Sequence, residues 1–205
     1  MEYSMEDIIF TPVPLCHGYG LTMGIIAPIR CGATIYIQRW FEFNEFYRIY
    51  HDLKPTIFLG VPEIYDCLYS ELKEKQISFI YNKYFLCSGS PLSRKTGETF
   101  YSVSNIWPCQ IYGMMEASTI CVNKEANQET LLSVGKPVAG IDMQYKPTNH
   151  ENYYEILIRG ETVSQSYVID GSKISAIDQE GWYSTKDIGF LKDGNLYLIG
   201  RKGEK

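Results

Sequence analysis

Lys54-Pro-Thr-Ile-Phe-Leu-Gly-Val-Pro62 contains a four-residue β-rich run, 56–59, and a proline suited to the first turn of a helix follows at once. The segment 62–75 then reads as helix, Lys83-Tyr-Phe-Leu-Cys87 as strand and 93–103 as helix. Crossovers of this length join parallel strands and lay helices over their faces. The same alternation extends upstream. Ile8-Ile-Phe-Thr-Pro-Val13 and Thr34-Ile-Tyr-Ile37 predict strands, and 20–29 a helix despite Pro28. Residues 44–53 predict another helix, because Phe46, Ile49, Tyr50 and Leu53 recur at helical intervals before Pro55. Ile106-Trp-Pro-Cys-Gln-Ile111 predicts a further strand. The expected fold class is α/β, a mostly parallel sheet flanked by helices.

After about Ser133 the texture changes. Short β-rich runs at 140–145, 155–159, 181–185, 188–191 and 196–199 alternate with turns. Asp193-Gly194 is a strong hairpin signal, since the tight turn needs positive φ. The chain is therefore expected to comprise an α/β subdomain over 1–133 and a small, distorted β-barrel-like subdomain over 134–205.

Composition narrows function. The 205 residues are 45% hydrophobic, which argues against general disorder. A formal charge of −5 gives no broad reason to grip nucleic acid or anionic lipid. No apolar run reaches the ~20 residues of a membrane-spanning helix, and the first residues lack a signal peptide's pattern. Six widely spaced cysteines without a C-x-x-C pair fit a reducing cytoplasm, and three scattered histidines give no zinc spacing. A metal would need carboxylates and a bound substrate.

Three segments are placed to carry chemistry. Tyr112-Gly113-Met-Met115-Glu116 follows a predicted strand, where open α/β sheets form their ligand crevice. There an aromatic face can stack on a base, Gly113 allows close approach, and Glu116 can hold a hard cation. Ser88-Gly89-Ser90-Pro91 lies between a strand and a helix, with Pro91 expected to open the helix, and can turn backbone N–H groups toward a ligand. Asp187 and Arg201 are a carboxylate and a guanidinium fork of the kind that hold ribose or phosphate. Each is commonplace alone.

In order and spacing these segments resemble the adenylate-forming family: acyl- and aryl-CoA ligases, luciferases and the adenylation domains of nonribosomal peptide synthetases. Pro14-Leu-Cys-His17 is similar to that family's Pro-Leu-Phe-His segment, and Ser88-Gly-Ser-Pro-Leu92 to its adenine-side loop. Tyr112 to Glu116 resembles Tyr-Gly-x-Thr-Glu, and Tyr183 to Asp187 resembles Tyr-x-Thr-Gly-Asp. Ser133-Val-Gly-Lys-Pro137, Glu155-Ile-Leu-Ile-Arg-Gly160 and Gly200-Arg201 match later signatures.

The resemblance implies ATP or AMP as ligand, Mg²⁺ at Glu116, adenine against Tyr112, ribose on Asp187 and Arg201, and His17 at the acyl end. It implies catalytic roles for His17 and Glu116, with Ser88, Gly89, Ser90, Gly113 and Met115 lining the nucleotide. The substrate would be a small carboxylic acid without an α-amine, and coenzyme A the acceptor. The family's triphosphate loop and its mobile Lys-bearing domain do not occur in the 205 residues, so the chain alone is expected to be nearly inactive and to self-associate or need a complementing protein segment. Met115, Lys186, Tyr154 and Ser166 depart from the family's Thr and Gly. These departures keep a second expectation open, a non-catalytic relative that binds a nucleotide, an acyl-adenylate or a protein partner.

Overall fold

The computed structural model describes residues 2–73, 77 and 79–203. Four strands, β1 (Ile8–Thr11), β2 (Thr34–Ile37), β3 (Ile57–Gly60) and β4 (Tyr84–Cys87), run parallel with the start of β5 (Cys109–Met114). β6 (Ser118–Val122) and β7 (Lys136–Pro137) continue the sheet antiparallel, giving the order β2-β1-β3-β4-β5-β6-β7. The sheet is mostly parallel, and helices cover both faces.

Period-two alternation sorts the strand residues between those faces. Phe10, Phe58, Phe85 and Cys87 point toward α3 (Phe43–Asp52), α4 (Pro62–Leu72) and α5 (Arg94–Ser104), where Phe46, Tyr65 and Phe100 are fully buried. Ile9, Ile57, Leu59 and Leu86 point the other way, against Tyr19 and Met23. Those two belong to a helical stretch made of α1 (Gly18–Leu21), a π-helical segment (Thr22–Ile26) and α2 (Ala27–Cys31). Pro28 offers no N–H to the preceding turn, and the widened π turn just before it accommodates the ring. Inward Met23, Gly24 and Pro28 leave Leu21, Ile26 and Ile29 exposed on the outer side.

A second, antiparallel sheet of order β13-β12-β9-β8 forms from β8 (Ile141–Pro147), β9 (Tyr154–Gly160), β12 (Tyr183–Lys192) and β13 (Asn195–Arg201). β8 and β9 pair over seven positions, and their exposed connection closes on itself as Thr148 N donates to Tyr153 O at 3.1 Å. A separate hairpin, β10 (Ser166–Ile169) with β11 (Ser172–Ser175), lies between β9 and β12 in sequence. The two sheets are stitched at Val134 and Gly135, whose backbones exchange hydrogen bonds with Leu196 at 2.9 Å.

Several expected elements shift. The strand expected at 106–111 is β5, starting at Cys109, because Pro108 cannot donate to a ladder. The runs 181–185 and 188–191 merge, from Tyr183 on, into one strand, β12, whose register shifts between Ser184 and Ile188 against β9 and between Ile188 and Gly189 against β13. Pro91 does not open α5. Ser93 is its N-cap, accepting from Thr96 N at 3.0 Å. Lys75, the expected end of the 62–75 helix, and Glu204 and Lys205 of the terminal stretch lie outside the described residues.

Candidate functional site

The sheet's strand ends bring distant segments together. Ser88, just past β4, donates its hydroxyl to Ile111 O at 2.9 Å, which fixes the 88–90 loop beside the backbone of Tyr112. Gly89 adopts φ +95°, a conformation that favours glycine, and a Cβ there would lie 3.4 Å from Val61 Cγ1. Gly113 has a different reason from the expected close approach of a ligand: a Cβ would lie 2.2 Å from Ser118 O, so the tight β5–β6 hairpin itself excludes a side chain.

Tyr112, Asp187 and Arg201 meet. The Tyr112 hydroxyl donates to Asp187 Oδ2, and Arg201 Nε forms an ion pair with Asp187 Oδ1 at 3.1 Å. Asp187 and Arg201 are opposite one another in the β12–β13 register, which is why fourteen residues of separation end in contact. Arg201 also reaches Thr185 O at 3.2 Å, and Thr185 Oγ1 accepts from Asp187 N at 3.0 Å while donating to Ile156 O at 2.8 Å. The Tyr112 ring is 8% exposed and packs in the second core with Ala117 and Tyr183, so its hydroxyl edge rather than an open aromatic face is presented. Burial, reinforced by the Asp187 carboxylate, pushes the Tyr112 phenol far above its ordinary range. It is a permanent donor.

Glu116 enters from the β5–β6 turn. Its Oε1 accepts from the Tyr167 hydroxyl at 3.0 Å, and Tyr167 meets the Tyr183 hydroxyl at 2.9 Å. Burial, the Tyr167 hydrogen bond and the Glu116 charge all push the Tyr183 phenol upward, against the pull of Arg201. Sequence reasoning gave no role to Tyr167 or Thr185, although Tyr183 and Thr185 lie two apart on one strand within a quoted motif.

His17 is exposed at the N-cap of α1, where Nδ1 accepts from Tyr19 N at 3.4 Å. It is joined to the loop of Tyr112 through its neighbour: a Cβ on Gly18 would lie 3.4 Å from Met115 Sδ, and Met115 is itself exposed. Ser90 is exposed.

The donor chemistry fits a nucleotide carried with magnesium. No group of three or more His, Cys, Asp or Glu side chains is gathered to hold a metal among the described residues, which excludes an all-protein cage there. Mg²⁺ commonly takes one or two carboxylates plus substrate phosphates, and Glu116 supplies such a carboxylate. Asp187 is a carboxylate held in place by a phenol and a guanidinium, and a carboxylate has lone pairs for further hydroxyl donors.

The family model described as AMP-binding enzyme matches residues 1–168, and the chain belongs to that adenylate-forming family. It is similar to the nicotinic acid-CoA ligase olcI of Penicillium canescens, 25% identical over 201 residues covering 94% of this chain and 36% of the relative. It is also similar to 4-coumarate–CoA ligase 3 of Oryza sativa subsp. japonica, 26% identical over 218 residues covering 100% of this chain and 39% of that ligase. The chain thus spans well under half the length of these curated relatives.

The fold is shared with a malonyl-CoA ligase solved with methylmalonyl-CoA and AMP, at a TM-score of 0.88, 22% identity and coverage of 98% of this chain and 45% of that one. It is shared also with the o-succinylbenzoate CoA synthetase MenE of Bacillus subtilis, solved with its acyl-adenylate intermediate, at a TM-score of 0.81, 24% identity and coverage of 96% and 41%. No helix among the described residues is long and apolar enough to cross a membrane.

Proposed function

We propose that this chain forms the adenine, ribose and acyl walls of an acid-activating ligase, which joins a carboxylate to ATP as an acyl-adenylate and passes the acyl group to coenzyme A. The observation that carries the reading is the contact of Tyr112, Asp187 and Arg201 at one place on the molecule. Asp187 binds the ribose hydroxyls, Arg201 and Tyr112 hold its carboxylate in position, and the 88–90 loop borders the adenine. Magnesium at Glu116 neutralises phosphate charge when bound. The carboxylate oxygen then attacks the α-phosphorus in line, forming the acyl–phosphate bond as pyrophosphate departs, a step that depends mainly on positioning and charge stabilisation.

The acid enters on the His17 side, beside Gly18 and Met115. His17 in place of an acidic residue favours an acid lacking an α-amine, and the CoA ligases among the relatives favour coenzyme A over a carrier protein. Six free cysteines suit a reducing cytoplasm. The 205 residues alone turn over slowly or not at all, because the triphosphate loop and mobile lysine of the family do not occur in them.

Calorimetric titration with a non-hydrolysable acyl-adenylate mimic tests the reading. Binding is expected, and Asp187→Ala is expected to weaken it at least tenfold. Equal affinity in the variant removes the ribose assignment. Absence of binding in the unaltered chain removes the pocket and leaves the reading of a non-catalytic relative, which Lys186 at φ +64° and the exposed Met115 favour.

A further inference from the structure

We propose that Tyr167, presented by the β10–β11 hairpin, is the positioning residue that aims the Glu116 carboxylate for magnesium, with Tyr183 behind it as the donor that fixes the direction of the hydrogen bonds. The inference rests on the nucleotide-binding reading above and assigns roles to two tyrosines and a hairpin outside that reading.

Proton accounting gives the direction. A phenol has one hydrogen to donate. Tyr167 donates that hydrogen to Glu116 Oε1. The hydrogen between the two phenols then comes from Tyr183. The resulting chain is Tyr183 Oη–H to Tyr167 Oη–H to Glu116 Oε1. Tyr183 is buried in the core beside Tyr112, whereas Tyr167 is 39% exposed. The buried ring therefore orients the exposed one, and the exposed one orients the carboxylate.

A backbone contact holds the same parts in place. Ser164 N donates to Glu116 O at 2.7 Å, fixing the segment before β10 to the turn that carries Glu116. Oε1 is engaged by the phenol, which biases the orientation of the carboxylate. Outer-shell partners of this kind commonly change metal affinity by about 10–100-fold when removed.

The hairpin is held by its turn. Asp170 and Gly171 adopt φ +50° and +76°, the paired positive values of a tight turn, and its outer residues Val168 and Ile169 are exposed. Tyr167 reaches inward from a hairpin whose remaining strand residues are half-buried or exposed. Its hydrogen bonds, rather than burial, fix its position.

The test measures ATP binding calorimetrically, once with magnesium and once with a chelator, in the full chain and in Tyr167→Phe, Tyr183→Phe, Glu116→Gln and the double variant Tyr167→Phe/Glu116→Gln. Magnesium is expected to tighten ATP binding to the unaltered chain. Tyr167→Phe should lose about tenfold or more of that tightening while keeping its metal-free affinity within about twofold. Tyr183→Phe should lose less, and the double variant should lose no more than Glu116→Gln alone.

A Tyr167→Phe chain that loses metal-free and magnesium-dependent affinity equally makes the phenol a structural prop and overturns the proposal. So does full magnesium dependence in Tyr167→Phe alongside its loss in Glu116→Gln, an outcome that leaves the nucleotide reading intact. Unaltered chain that binds ATP identically with and without magnesium, matching Glu116→Gln, overturns the role of Glu116 and the positioning role together.

Discussion

Lys186 stands where the resembled Tyr-x-Thr-Gly-Asp motif has glycine, and its backbone suits glycine: φ is +64°, in the left-handed region. A side chain there costs about 1–2 kcal/mol, and glycine forfeits about 0.5–1 kcal/mol of chain entropy in exchange. Lys186→Gly is therefore expected to raise stability by about 0.5 kcal/mol, read as a higher urea midpoint with an unchanged slope. A lower midpoint would show that the lysine's charge near Glu155 outweighs the backbone strain.

Asp7 gives the second prediction at this scale. Its carboxylate is fully buried, and burial alone would raise its pKa, but Lys83 Nζ at 2.7 Å, Ser4 and Thr56 outweigh burial and hold it below its ordinary value. A depressed carboxylate stabilises the fold above the unfolded value of about 3.9, and that contribution is lost as pH falls through the lower folded value. Acid titration of stability should thus fall below about pH 4, and Asp7→Asn should flatten that limb. An unchanged acid limb in the variant would assign it to other carboxylates.

At the scale of elements, the parallel half was readable because each strand is a short apolar run bounded by Gly or Pro. β2 falls at Thr34–Ile37, the stretch its composition indicated. The later half was harder, since one signal occurs twice. Asp193-Gly194 was recognised and adopts φ +52° and +75°, but Asp170-Gly171 makes the same kind of turn between strands of exposed residues, where alternation is weak. β6 was hidden because Ser118-Thr-Ile-Cys-Val122 follows directly on the residues that look like a ligand motif. Of the candidate site, Tyr112, Glu116, Asp187 and Arg201 were singled out as motif positions, and Tyr112, Asp187 and Arg201 meet in the structure. The Tyr167–Tyr183 link was not, because a contact across separate strands leaves no local periodicity.

α5 carries the prediction for an element. Ser93→Ala removes the hydroxyl that accepts from Thr96 N, and is expected to cost about 1 kcal/mol. Thermal unfolding followed by circular dichroism measures it, and a loss of nucleotide affinity beyond this small destabilisation would show that the cap also sets the neighbouring 88–90 loop.

Among the described residues, the buried side-chain polar atoms without a hydrogen-bond partner are Thr11 Oγ1, Gln38 Oε1 and Asn82 Oδ1, whereas large apolar side chains are exposed at many places on the surface. Leu21, Ile26 and Ile29 are 43%, 52% and 66% exposed along one side of the α1–π–α2 stretch. Contiguous exposed apolar patches favour association. Light scattering is expected to show concentration-dependent self-association of the 205-residue chain through this side, abolished in the double variant Ile26→Glu/Ile29→Lys. A monomer at every concentration before substitution would remove this expectation.

The seven-rung ladder between β8 and β9 ends in an exposed turn whose Tyr153 ring lies 6.2 Å from that of Phe190 on β12. Division of the polypeptide within 149–152 would leave one piece bearing Tyr112 and another bearing Asp187 and Arg201, each incomplete as a receptor. Reannealing along β8 and β9 would rebuild the cavity from two genes, so nucleotide capture would become a gauge of fragment complementation.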